Sequence, residues 1–200
     1  MTTRLITWYS DSYRRIADIT VPRMGLWSAR NNITFSFVVR EPFSLRYPYW
    51  TKLDVVREAI SVSDTVIWMD ADMLIIDMNR TVDDLTNSYA ELVLAKDFNG
   101  ICAGMFMLKK SGFDLLNAWI TAGQIDDDPF QDQGTIKEIV KHFPSFAKRT
   151  ATEDWIIDDV YKPENPFAFH SWGRNGSDDS AASLKRWSDS TASVCCTSSL

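Results

Sequence analysis

Asp64-Thr65-Val66-Ile67-Trp68-Met69-Asp70-Ala71-Asp72-Met73-Leu74-Ile75-Ile76 is the stretch on which the reading of this chain turns. Thr65 to Met69 is an apolar run of strand length, and it ends directly on the cluster Asp70-Ala71-Asp72. A strand that is apolar throughout, without polar alternation, is one covered on both faces. In open α/β sheets, ligands bind just outside the carboxyl ends of the strands, which is where this cluster falls. Two carboxylates one residue apart can be brought to one cation, and hard oxygen ligands of this kind suit Mg²⁺ or Mn²⁺ rather than zinc. An Asp that follows such a run must find a partner or a metal once it is partly buried. Acidic triplets also arise by composition, as at Asp126-Asp127-Asp128, so the pair takes its meaning from its place at a strand end.

On the N-terminal side, Leu5 to Tyr9 reads as a buried strand, followed by a helical pattern from Tyr13 to Trp27 that Pro22 interrupts. Ile33, Phe35, Phe37 and Val39 then alternate with Thr34, Ser36 and Val38, the two-residue period of a strand, and Glu41-Pro42 closes it. Beyond Tyr47-Pro48-Tyr49-Trp50, the recurrence of Leu53, Val56 and Ile60 predicts a helix leading into the strand quoted above. On the C-terminal side, Glu91 to Lys96 and Met105 to Leu108 read as strands. Ser111-Gly112-Phe113-Asp114 resembles a capping box opening a helix through Trp119, and Gln131 to His142 is a final helix with Ile136, Ile139 and Val140 inward. Strands alternating with helices at this interval predict an α/β domain over 1–174, with a mainly parallel central sheet and helices on both faces. Residues 175–200, rich in Ser, Asp and Ala and poor in large apolar side chains, read as a flexible tail or linker.

Composition narrows the function. With 200 residues, 45% of them hydrophobic, the chain can enclose one substantial core, so a single domain is expected. The net charge of −6 repels polyanions, and no basic run offsets it, which excludes nucleic acid as a partner. Cys102, Cys195 and Cys196 give neither a disulfide framework nor zinc-ligand spacing. No window reaches the roughly 18 apolar residues of a membrane span, and the first residues do not form a signal peptide. A cytoplasmic protein is the expectation. Glycine-rich phosphate loops of the Walker and dinucleotide types are absent from the sequence.

Several segments together resemble the GT-A glycosyltransferases. The stretch quoted first is similar to their Asp-x-Asp strand. Asn99-Gly100-Ile101-Cys102-Ala103-Gly104-Met105-Phe106-Met107-Leu108 is similar to the family segment that lines the donor sugar and acceptor, with Cys102 where many retaining relatives place an Asn. Phe130-Gln131-Asp132-Gln133 resembles the Gln-Asp-Gln segment of retaining members related to glycogenin and the bacterial lipooligosaccharide galactosyltransferases. Phe169-His170-Ser171-Trp172-Gly173 resembles their late His-containing segment, and Trp50-Thr51-Lys52 the Trp-x-Lys of the yeast Golgi galactosyl- and mannosyltransferases. The interval from Asp72 to His170 is short for the family, which implies a reduced acceptor region.

The resemblance implies a hexosyltransferase that takes a nucleoside-diphosphate sugar, usually a UDP-sugar, as donor and a glycan or glycoprotein as acceptor. Asp70, Asp72 and His170 would hold Mn²⁺ or Mg²⁺ against the diphosphate, and Lys52 would face the phosphates. Thr7, Trp8 and Tyr9 would receive the nucleotide base, with Ala71 and Gly104 against the donor. Gln131 and Asp132 would stand beside the reacting carbon, with retention favoured over inversion; in an inverting enzyme Asp132 would be the general base. Trp155 and Trp172 are candidates for an acceptor platform. The competing readings are a haloacid-dehalogenase-type phosphatase, whose Asp-x-Asp normally lies on the first strand, and a nucleotide-sugar binding module without turnover.

Overall fold

The computed structural model describes residues 1–41, 48–86, 89–123, 131–158, 160–171 and 177–195. Pro42, Tyr47, Asp126-Asp127-Asp128, Phe130, Trp172 and Gly173, quoted above, lie outside the described residues. The strands are β1 (Thr3–Tyr9), β2 (Thr34–Val39), β3 (Thr65–Met69), β4 (Met73–Ile75), β5 (Leu92–Asp97), β6 (Gly100–Lys109), β7 (Thr150–Glu153), β8 (Ile156–Ile157) and β9 (Ala168–His170). The helices are α1 (Arg14–Arg30), α2 (Thr51–Ser61), α3 (Phe113–Ala122), α4 (Gln131–His142), α5 (Pro144–Ala147) and α6 (Ser177–Cys195).

Six strands build the central sheet in the order β2-β1-β3-β6-β5-β7, while β4, β9 and β8 form a small second sheet. β1 lies parallel to β2 and β3, and β5 parallel to β7; β6 runs against both its neighbours. The reversal is local in origin. Phe98-Asn99 is a two-residue connection between β5 and β6, and a link that short can join only antiparallel strands. Gly100, at φ +96°, takes the left-handed backbone that the turn requires. The expected α/β architecture, mainly parallel, is therefore the one observed.

The apolar residues of β3 divide between the two faces of the sheet, as the period of two demands. Val66 and Trp68 join Phe106, Leu108, Leu53, Val56 and Trp119 under α2, α3 and α4. Ile67 and Met69 join Met24, Trp27, Met105 and Phe167 under α1 and the small sheet. Burial on both sides explains why β3 shows no polar alternation. Just before α2, Trp50 presses on the end of α3, where Gly123 is required because a Cβ there would lie 1.8 Å from the Trp50 ring.

Three local expectations give way. Pro22 does not interrupt α1, which continues to Arg30; Pro22 and Asp18 both face outward, so the carbonyl that Pro22 leaves without an N–H is open to water. Ser111 does not cap α3. Lys110–Gly112 take a 3₁₀ turn instead, Gly112 occupies the N-cap, and the Asp114 carboxylate binds Arg149. The Ser-rich stretch is not without structure, since 177–195 are helical. Leu184 is fully enclosed and Trp187 stacks on Phe169 at 4.9 Å, while the small residues Ser180 and Ser183 are buried beside them. Two large side chains suffice because small ones let α6 lie close to its neighbours. Among the described residues, no helix is long and apolar enough to cross a membrane.

Candidate active site and metal centre

β3 delivers Asp70 at the carboxyl end of a central strand, and three other elements close around it. The Asp70 N–H donates to the Gly104 carbonyl at 2.8 Å, which fixes β6 alongside. Asp70 to Met73 then turn tightly, with Met73 N–H bonded to Asp70 O at 3.1 Å and the Ala71 carbonyl accepting the Thr20 hydroxyl at 2.6 Å. This turn leads into β4, whose antiparallel pairing with β9 sets Met73 opposite His170. The result brings His170 Nε2 to 3.5 Å from Asp72 Oδ1 across nearly a hundred residues of sequence. Ligand atoms of Asp70, Asp72 and His170 all lie within 4.8 Å of one another.

Gly104 gives this cluster its room. A Cβ at that position would stand 2.8 Å from His170 Cε1, 3.2 Å from Nε2 and 3.3 Å from Asp70 Oδ2. The register of β6 against β5 breaks here, Leu94 pairing with Phe106 and Ala95 with Cys102, so 103–105 bulge toward the cluster. Two carboxylates and an imidazole around a space kept clear of side chain fit a small divalent cation, with oxygen donors predominating. Burial alone would lower the His170 pKa, yet the Asp72 carboxylate outweighs it and holds the ring charged well above the usual imidazole range. That ion pair depresses Asp72 against its own burial.

Lys52 is the cation in hand. Its buried ammonium lies 3.1 Å from Asp70 Oδ1, 3.0 Å from Asp132 Oδ2 and 3.2 Å from the Ala103 carbonyl. Burial would lower its pKa, but the two carboxylates prevail and raise it. Asp70 and the Ala103 carbonyl accept hydrogen bonds from the ammonium, and Asp132 Oδ2 faces it as an ion pair. Lys52 is therefore the internal counterion of Asp70 and Asp132, and the expected contact with phosphates would require it to leave one of them. Asp132 is pushed up to about 6 by burial, against the pull of Lys52 and with a further push from Asp70. Asp70 is raised by burial as well, in spite of Lys52, and its Oδ1 accepts the Trp68 indole N–H at 2.7 Å.

Two hollows meet at this cluster. One, of about 340 Å³, is bounded by Trp8, Tyr9, Tyr13, Tyr49, Trp68 and the acidic pair. The other, of about 350 Å³, is bounded by Asp97, Asn99, Gly104, Gln131, Asp132, Gln133 and His170. Tyr13, Tyr49, Lys52, Asp70 and Asp72 line both. Among the residues expected at a base subsite, Trp8 and Tyr9 reach the first hollow. Thr7 is fully enclosed and borders neither hollow. Ala71 borders the first hollow, and Gln131 and Asp132 border the second. Trp155 is buried in the core under the small sheet, and Trp172 is outside the described residues.

The cleft also contains residues the sequence reading passed over. Gln133 spans it, accepting the Ala103 N–H at 3.1 Å and donating to Asp97 at 3.5 Å. Asp97 had a signal, because it ends an apolar strand as Asp70 does. Gln133 had one too, as the second Gln of the segment quoted. Tyr13 and Tyr49 had none, since an exposed tyrosine in a turn has no periodicity to mark it.

No protein-family model matches this chain, and no curated protein sequence does either. Solved structures do. A glycosyltransferase involved in glycosylation of the major capsid of PBCV-1 superposes with a TM-score of 0.77 at 12% identity, covering 93% of this chain and all of that one. The galactosyltransferase LgtC, solved with donor and acceptor sugar analogues, gives 0.62 at 12% identity, covering 94% of this chain and 95% of its own. A Drosophila β-1,4-galactosyltransferase 7 mutant, solved with manganese, UDP-Gal and xylobiose, gives 0.55 at 10% identity over 87% of this chain and 72% of that chain. The protein thus has the GT-A fold, and it resembles the glycosyltransferases built on it.

Proposed function

We propose that this protein is a divalent-metal-dependent glycosyltransferase that moves a hexose from a nucleoside-diphosphate sugar, with uridine as the base, to a glycan or glycoprotein acceptor. The observation that carries this reading is the convergence of Asp70, Asp72 and His170 at the junction of an aromatic hollow and a polar one. A nucleoside suits the first, where Trp8 and Tyr9 offer ring faces, and a sugar the second, where amides and carboxylates offer hydrogen bonds. The diphosphate then falls between them. That position is otherwise hostile to an anion, because Asp70, Asp72, Asp97 and Asp132 face the cleft while Lys52 is already paired with two of them.

Asp70, Asp72 and His170 would hold the ion, whose contribution when bound is Lewis-acid neutralisation of the departing diphosphate. Trp68 orients the Asp70 carboxylate through its indole N–H, and Lys52 ties Asp70 to Asp132, so the metal side and the sugar side share one support. Gln131 and Asp132 flank the space for the anomeric carbon. Retention of configuration is assigned on the resemblance of Gln131-Asp132-Gln133 to retaining relatives. The enclosure of Asp132 behind Lys52 agrees with a carboxylate that supports positive charge on the sugar rather than one awaiting an acceptor proton.

Thermal melting with uridine and guanosine diphosphates and their sugars, each with and without Mn²⁺, tests the reading. A ligand at a hundred times its Kd adds about 2.7 kcal/mol to stability, or about 5–10 °C for a chain of this size. One nucleotide sugar should stabilise the protein in a metal-dependent manner, and Asp70→Ala or Asp72→Ala should abolish that gain while the fold persists. Retained gain in both variants would sink the metal assignment. Binding without hydrolysis or transfer to any acceptor would favour the binding module, and no shift with any nucleotide would reopen the phosphatase.

A further inference from the structure

We propose that Cys102 is a positioning residue for His170, its sulfur accepting the Nδ1 proton so that Nε2 is the ring nitrogen presented to Asp72 and to the ion. The inference rests on the metal reading above. Sγ of Cys102 lies 3.8 Å from Nδ1, and both residues are buried, Cys102 to within 1% of complete enclosure. On the other edge of the ring, Nε2 faces Asp72 Oδ1 at 3.5 Å. The two nitrogens are thus divided between a sulfur at the back and the acidic cluster at the front.

A second donor reaches the same sulfur. The Gly104 N–H donates to the same Sγ at 3.4 Å, so the sulfur already acts as an acceptor in this corner. A metal-bound imidazole requires a proton on its far nitrogen and an acceptor to hold it, a part usually taken by a carboxylate, a carbonyl or water. Among the described residues, Cys102 is the partner recorded for Nδ1. The position is also the one where the family resemblance expects an Asn that meets the sugar. Cys102 does not border the polar hollow, although Ala103 and Gly104 beside it do. The residue has turned from the substrate to the ligand.

The test needs two readouts. His142 and His170 are the two histidines of the chain, so imidazole ¹⁵N–¹H correlation spectra of His142→Gln protein report on His170 by itself. With no metal present, an Nδ1–H resonance should be seen in the parent and be lost in Cys102→Ala. Mn²⁺ affinity, followed by the electron paramagnetic resonance of the free ion, should fall by about 10–100-fold in Cys102→Ala, the range for loss of a ligand's support, and recover in Cys102→Ser. A parent spectrum without an Nδ1–H resonance would overturn the proposal, as would Cys102→Ala binding Mn²⁺ within twofold of the parent. Should the parent take up no Mn²⁺, the metal reading fails, and the spectra alone still decide where the proton sits.

Discussion

The two hollows that meet at Asp70 and Asp72 are nearly equal in volume and share Tyr13, Tyr49, Lys52 and the acidic pair, but differ in the walls each has to itself. The first is walled by aromatic rings carried on β1, on the turn before α1 and on the turn before α2, elements that are close together in sequence. The second is walled by amides, carboxylates and an imidazole from the β5–β6 hairpin, α4 and β9, gathered from distant parts of the chain. An aromatic wall binds through area and tolerates small errors of placement. A polar wall binds through directed hydrogen bonds and does not. The difference explains why the polar side is cross-braced, with Gln133 tying Ala103 to Asp97 and Lys52 tying Asp70 to Asp132, whereas Tyr13 and Tyr49 are left about half exposed.

Removing the brace between the hollows should have the largest effect. Lys52→Met would leave Asp70 and Asp132 facing each other in a buried space, and breaking a buried ion pair from one side costs about 3–5 kcal/mol. Urea denaturation should show a loss of that order, and one below about 1 kcal/mol would mean that Lys52 is not the structural counterion inferred from its contacts. Next in size is Gly104→Ala, whose Cβ would collide with the His170 ring. Calorimetric titration should show Mn²⁺ binding weakened tenfold or more, with binding of uridine, which carries no phosphate, intact. Trp8→Ala should do the reverse, weakening nucleotide binding by roughly 1–3 kcal/mol, the scale of one base on one ring, while Mn²⁺ alone binds as before. If both variants affect both ligands alike, the division of labour between the hollows is wrong.

The smallest effect lies outside the cleft and serves as its control. Arg149 bonds Asp114 and so holds that carboxyl below its ordinary range. A folded-state pKa below the unfolded one stabilises at pH values above the unfolded pKa, and the gain disappears as pH falls through the folded value. Asp114 is largely exposed, so its share is below about 1 kcal/mol. Asp114→Asn should slightly flatten the acid limb of a stability–pH curve below about pH 4, without changing Mn²⁺ or nucleotide binding.

Much of the fold could be read along the chain because it rests on local signals. The unbroken apolar run of β3, the spacing of Leu53, Val56 and Ile60 on α2 and the alternation in β2 each follow from a periodicity that neighbours in sequence must satisfy. Where an expectation gave way, long-range contact had overruled the local one. Pro22 is tolerated because its side of α1 is solvated, and α6 forms because Leu184 and Trp187 find an existing surface. No window of nearby residues records either condition.

The same boundary runs through the site. By itself, the sequence determined that two carboxylates stand at the end of a buried strand, since composition and strand period are sufficient for that. Tertiary structure decided which residues join them. The pairing of β4 with β9 sets His170 beside Asp72, the burial of α2 against the sheet turns Lys52 inward onto Asp132, and the bulge in β6 clears the space at Gly104. These are matters of register and packing between distant segments, which are fixed by the free energy of the assembled core and carry no signature in the neighbouring residues.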